Sequence, residues 1–199
     1  MARVGILGGT FNPPHLAHLV CASEAASQLD LERVLLTPVA QAPHKEAPYD
    51  PGPEERLELC RLAVAGDERF AVCDLEIRRG GSSFTVDTLR ELHERTPEDD
   101  LTFIVGGDTA LGLPSWREPE AVLGLATLAV AERSGAGRSD IVERLRSSFP
   151  GARPPVFFDM PRLDISSSQI RRHVAEGRSI RYLVPDPVAE RIARGRLYR

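Results

Sequence analysis

The stretch Val4-Gly5-Ile6-Leu7-Gly8-Gly9-Thr10-Phe11-Asn12-Pro13-Pro14-His15-Leu16-Ala17-His18 decides how this chain is read. Its first four residues are a short apolar run, the next a glycine turn, and helical periodicity begins at Leu16. Strand, tight turn and helix start follow one another directly. The two imidazoles fall three residues apart on one helical face, where the pattern predicts unpaired backbone N–H groups. Glycines let backbone approach a ligand closely. A helix start carries partial positive charge, and His15 and His18 add side-chain donors. The stretch therefore predicts an anion site of the kind a phosphate group occupies. No Gly-Lys-Ser/Thr follows the glycines, and Gly5, Gly8 and Gly9 do not make G-x-G-x-x-G, so neither the P-loop nor the dinucleotide fingerprint is present. Paired imidazoles could also share a metal ion, but no third ligand stands at motif spacing.

Outward from this stretch, strand-like and helix-like segments alternate. Apolar runs at 4–7, 34–37, 71–77, 101–105, 126–131 and 156–158 read as strands. Helical periodicity fills 16–29, 54–64, 86–94, 119–125 and 141–149, and closes the chain at 168–176 and 188–193. Such alternation predicts an α/β fold, a doubly wound, Rossmann-like parallel sheet with helices on both faces and right-handed crossovers. Residues 1–199 are expected to form a single domain. The proline-marked loop 38–53 is long for a connection, which marks a functional loop. The Gly/Ser-rich stretch 133–139 reads as a surface loop whose following helix Ser139 would cap.

Four more stretches carry chemistry-bearing residues. Pro43-His44-Lys45 lies in the long loop, and Lys45 is the only lysine in the chain. Its compact ammonium on a flexible stem suits a mobile phosphate. Ser83-Phe84-Thr85-Val86-Asp87 opens a helix. Gly106-Gly107-Asp108 follows a strand, at the sheet end where ligands of open α/β folds gather, with Trp116 and Arg117 soon after. Ser166-Ser167-Ser168 opens a late helix that also carries Arg171 and Arg172, a second anion site by the same helix-start logic. One serine would satisfy an ordinary cap. Bland alternatives stand beside these readings: Asp108 as an N-cap, Trp116 as core packing, Lys45 and Arg172 as solvated cations.

Composition bounds the partners. The 199 residues carry a formal charge of −4, with 42% hydrophobic, 27% charged and 6% aromatic residues, which is ordinary for a globular protein and argues against nucleic acid as a partner. No apolar run approaches the ~18 residues of a membrane span. The odd, widely spaced Cys21, Cys60 and Cys73 read as apolar fillers of a reducing compartment, and with no signal peptide expected they point to the cytoplasm. An anionic ligand must be attracted locally, by His15, His18, Lys45 and Arg171.

At residues 9–18 the chain resembles the nucleotidyltransferase superfamily marked by G-T-F-D-x-x-H-x-G-H. Asn12 stands at the aspartate position, keeping its capping ability, and Ala17 at the second glycine. The five stretches together, in order and spacing, resemble the bacterial nicotinate-nucleotide adenylyltransferase family over about residues 3–198. That resemblance implies strand order 3-2-1-4-5-6 with a site over the first and fourth strands. It implies transfer of AMP from ATP to nicotinate mononucleotide, giving deamido-NAD and pyrophosphate. ATP would be held by Gly8, Gly9, Thr10, Phe11, His15, His18, Ser167, Ser168 and Arg171. Lys45, Thr85, Asp108, Trp116 and Arg117 would hold the mononucleotide, Trp116 by stacking on the pyridine ring and the backbone near Thr85 and Arg117 by binding its carboxylate. The catalytic set implied is His15, His18, Lys45 and Arg171, with Mg2+ held mainly by substrate phosphates. Another acceptor, nicotinamide mononucleotide or phosphopantetheine, is the alternative within the enzyme class. A non-catalytic nucleotide sensor is the alternative outside it. Self-association is left open.

Overall fold

The computed structural model describes residues 1–41, 49–132 and 137–199. In chain order these form β1 (Arg3–Gly9), α1 (Leu16–Gln28), β2 (Arg33–Pro38), α2 (Pro53–Val64), β3 (Phe70–Val72), α3 (Leu75–Arg79), α4 (Thr85–Arg95), β4 (Asp100–Gly106) and α5 (Gly107–Gly112). A short 3-10 turn (Leu113–Ser115), α6 (Pro119–Leu125), β5 (Thr127–Glu132), α7 (Arg138–Ser148), β6 (Val156–Asp159), α8 (Ser167–Ala175) and α9 (Asp186–Arg194) complete the chain. The strands lie in the order β3-β2-β1-β4-β5-β6, as a doubly wound parallel sheet requires.

Two compact units are distinguished within the chain. The first comprises Met1–Gly8, Cys21–Leu35 and Phe84–Arg162. Its β1, β4, β5 and β6 pair in parallel, with Val4 opposite Leu101, Ile104 opposite Ala129 and Val130 opposite Phe157. Residues 101–105 of β4 are buried without interruption, which is the mark of a strand covered on both faces. Gly5 is closely packed. A Cβ there would lie 2.8 Å from Leu31 Cδ1 and 3.0 Å from Ile104 Cδ1.

The second unit comprises Gly9–Val20, Leu36–Ser83 and Leu163–Arg199. Its core gathers Leu59 and Ala63 of α2, Ile170 of α8, Val188 and Ile192 of α9, and Ile180, Val184 and Tyr198. Arg191 of α9 pairs with Glu55 of α2 through two hydrogen bonds, at 2.7 and 2.6 Å. Ile170 is fully buried. Ile170→Ala is expected to cost about 2–5 kcal/mol through lost transfer energy and the cavity left behind. Denaturant unfolding should show a lower midpoint with an unchanged slope.

The structure corrects the expected elements in three places. The expected strand at 71–77 ends at Val72, and Leu75–Arg79 is a helical turn instead. Alternating apolar residues imitate a strand there, but Arg78 N–H donates to Asp74 C=O at 2.9 Å, and Gly80, at φ 70°, stops the turn. The helix expected after Asp108 is α5, but it starts at Gly107, so Asp108 lies inside its first turn and does not cap it. Ser139 does not cap α7. The cap position is Gly137, and Ser139 lies in the first turn.

Candidate active site

In the second unit the signature turn leaves β1 at Gly9, whose carbonyl accepts from Val39 N–H at 3.0 Å. Phe11 is buried in the left-handed region at φ 49°, uncommon for an aromatic residue. Its ring lies over Gly9, where a Cβ would meet ring carbons at 3.2 Å, a tight approach that favours glycine. Phe11 also meets the His18 ring edge-on at 5.0 Å. The His15 and His18 rings stack at 3.7 Å. His15 N–H donates to His18 Nδ1 at 3.2 Å.

The amides at the start of α1 are not the open donors that the sequence predicts. His15 N–H is held by His18 Nδ1, Leu16 N–H by the carbonyl of Leu183 at 3.0 Å, and His18 N–H by the carbonyl of His15 at 2.9 Å. These amides are engaged within the protein, which leaves less of the helix start open to an anion than the pattern predicts. With Nδ1 accepting, a neutral His18 carries its hydrogen on Nε2. Asn12 does not cap either. Its side-chain amide is buried and has no hydrogen-bond partner among the described residues, and only its backbone carbonyl is engaged.

That carbonyl brings in the late helix. Arg171 Nη1 donates to Asn12 C=O at 2.8 Å, and Nη2 to Ser168 Oγ at 3.2 Å. Ser167 Oγ donates to Pro13 C=O at 2.8 Å. Ser166 is the actual N-cap, accepting from Gln169 N–H at 3.2 Å, which releases Ser167 and Ser168 from capping. Gly9, Thr10, Phe11, His15, His18, Ser167, Ser168 and Arg171 thus form one cluster within one unit.

A residue the sequence reading passed over stands behind this cluster. Arg56 is 1% exposed, and its guanidinium donates to the carbonyls of Thr10 at 2.9 Å, Val39 at 2.7 Å and Ala40 at 2.9 Å, and to Asp50 Oδ1 at 3.0 Å. The available signal was positional: Arg56 shares the face of α2 with Leu59, Cys60 and Ala63, where only apolar residues are expected. Nearby, burial pushes the Cys60 thiol up to about 12 against the opposing Arg56 charge, so it stays protonated and inert. Burial likewise raises the Tyr198 hydroxyl, with Asp50 adding to the shift and Arg171 and Arg56 opposing it.

Gly8, Thr85, Asp108, Trp116 and Arg117 belong to the first unit. Trp116 follows the 3-10 turn, half-buried, edge-on to Phe103 at 5.9 Å between ring centres. The Arg117 guanidinium lies 4.8 Å over the Phe84 ring and 3.4 Å from Asp87 Oδ2. Thr85 opens α4, whose cap residue Phe84 offers no side-chain bond to the first amides. Glu118 pairs with Arg90 at 2.6 Å, and that hydrogen bond holds its carboxyl below the usual range. Asp108 is exposed in the first turn of α5, where the cap is Gly106 rather than Asp108. Pro43-His44-Lys45 lies outside the described residues.

A parallel sheet in this strand order, with an imidazole-bearing turn at the end of its first strand, defines a nucleotidyltransferase class. The chain belongs to the cytidylyltransferase-like family, whose model matches residues 6–173. Within that class it belongs with the nicotinate-nucleotide adenylyltransferases. It is 43% identical over 198 residues to a protein of Desulfitobacterium hafniense named "Probable nicotinate-nucleotide adenylyltransferase", covering 99% of this chain and 96% of the relative. A Citrifermentans bemidjiense protein of the same name is 44% identical over 211 residues, covering 98% of each. In fold, the chain is similar to the Plasmodium falciparum nicotinic acid mononucleotide adenylyltransferase complexed with NaAD. The TM-score is 0.80 at 19% identity, over 100% of this chain and 98% of that one.

Proposed function

We infer that this chain carries out the reaction its family is named for, joining the adenylyl group of ATP to nicotinate mononucleotide to give deamido-NAD and pyrophosphate. The observation that carries the site reading is the convergence of His15, His18, Ser167, Ser168 and Arg171 around one turn, from opposite ends of the chain: Ser167 reaches Pro13 across 154 positions. Nothing in ordinary helix capping asks for that many donors at one place.

The chemistry needs no covalent intermediate. The mononucleotide's phosphate, largely dianionic at neutral pH with a second pKa near ~6, attacks the α-phosphorus of ATP in line. A new P–O bond forms, the bond to the β-phosphate oxygen breaks, and pyrophosphate leaves with its electron pair. The protein must hold two polyanions together and neutralise charge as it moves to the leaving group. Positioning of this kind is worth roughly 7–11 kcal/mol. In this proposal Gly8, Gly9, Thr10 and Phe11 line the α-phosphate. His15 and His18 donate to the β and γ groups, and Ser167, Ser168 and Arg171 grip the triphosphate from α8. Lys45 screens the incoming phosphate. Thr85, Asp108, Trp116 and Arg117 take the mononucleotide. Mg2+ would be held by phosphate oxygens and water. The proposed compartment is the cytoplasm. Cys21, Cys60 and Cys73 are all free thiols, and no helix of the described residues is long and apolar enough to cross a membrane.

An acceptor panel tests the reading. With ATP, pyrophosphate release should be at least about tenfold faster with nicotinate mononucleotide than with nicotinamide mononucleotide or phosphopantetheine. Equal rates, or no release, would remove it. Trp116→Ala should raise the KM for the mononucleotide more than the KM for ATP, because stacking on an aromatic side chain is worth about 1–3 kcal/mol. An equal rise in both constants would assign Trp116 to packing on Phe103 instead.

A further inference from the structure

Arg56 is a buried and heavily engaged cation, and the proposed chemistry does not use it. Four of its five N–H groups have acceptors, three of them backbone carbonyls, and its side chain is 1% exposed. A buried ion pair is weak evidence for stability, since well-packed apolar residues often do as well. What an apolar side chain could not do is bind Thr10, Val39, Ala40 and Asp50 to one rigid plane. Thr10 lies in the signature turn. Val39 and Ala40 stand before the Lys45 segment, and Asp50 stands after it. Asp50 Oδ1 also accepts from Gly52 N–H at 3.0 Å, the cap residue of α2, so the returning chain is registered on the helix that carries Arg56.

We infer that Arg56 is a positioning residue for adenylyl transfer: its guanidinium fixes the Thr10 carbonyl and both described flanks of the segment that bears Lys45. The inference rests on the adenylyl-transfer reading for its kinetic consequence, but its geometric content is independent of it. A lysine cannot replace Arg56, because one ammonium on a flexible stem does not present donors in a planar fork. An isosteric apolar residue leaves three carbonyls without their donor.

The single lysine provides a direct readout, because a lysine-specific endoprotease has one cleavage site in the entire chain. Arg56→Met and the core control Ile192→Ala are compared with the unaltered protein by thermal melting and by the rate of Lys45 cleavage, while Arg56→Lys, which adds a second lysine, is compared by melting and kinetics alone. The temperature of each digest is chosen to give equal distance below its own midpoint. Arg56→Met should be cut at least about tenfold faster than Ile192→Ala, through local release of the flanks rather than global unfolding. In steady-state assays kcat should fall about tenfold or more in Arg56→Lys, and further than in Ile192→Ala. Cleavage and kcat that follow the control would overturn the positioning role. If the unaltered protein transferred no adenylyl group, the reaction reading would fall while the cleavage comparison still decided the role of Arg56.

Discussion

Replacing His18 by alanine is expected to leave the fold standing and to lower kcat/KM by about 10²–10³, the loss usual when one donor to a developing charge is removed. The expectation has two halves. Stability should change little. Alanine is the best helix former, His18 is only half-buried at the first turn of α1, and the bond from His15 N–H to Nδ1 is lost. One hydrogen bond of that kind is worth about 1 kcal/mol, against a total of about 5–15 kcal/mol for an ordinary domain. Activity should change much. The stacked His15 ring at 3.7 Å and the Phe11 edge at 5.0 Å pack against the imidazole and limit its rotation. A donor fixed in this way needs no reorganisation as charge builds on the departing pyrophosphate. Circular dichroism and thermal melting should match the unaltered protein while the rate collapses. A rate within twofold of the parent would deny His18 any part in binding the triphosphate.

Much of the architecture was legible because the chain is locally consistent. Residues 101–105 form a run buried without interruption, and Pro119–Leu125 begins at a proline and covers the stretch that periodicity marks. Where legibility failed, two principles competed over too few residues. Residues 71–77 alternate like a strand, yet a segment this short can close helical bonds equally well, and Gly80 decided the matter. In the candidate site, the spacing of His15 and His18 and the surplus serines at 166–168 are local facts and were readable. Their convergence was not. No sequence pattern records that Ser167 meets Pro13, that Leu183 occupies the Leu16 amide, or that Arg56 meets Thr10. Arg56 illustrates the difficulty well, since charge normally places a residue outside and only its helical register placed it within.

Arg171→Lys is expected to lower kcat/KM by about 10², close to the loss in Arg171→Ala, although lysine keeps the charge. Two views of this residue give different results. If Arg171 acts as a point of positive charge for the triphosphate, lysine should retain most of the rate and show a steeper loss with added salt. The geometry argues for the other view. Nη1 is committed to the carbonyl of Asn12 at 2.8 Å and Nη2 to Ser168 Oγ at 3.2 Å, so the guanidinium plane sets the start of α8 against the signature turn. The N–H groups beyond those two bonds are then aimed by the plane itself, and bidentate recognition of a phosphate depends on that aim. A lysine ammonium would reach one of the two partners and lose the other, and a displacement of about 1 Å at such a site is enough to cost about a hundredfold. Measuring both variants across ionic strength separates the cases. A lysine variant within about fivefold of the parent, with activity that fades as salt rises, would make Arg171 a counter-charge and remove its role in aligning the triphosphate.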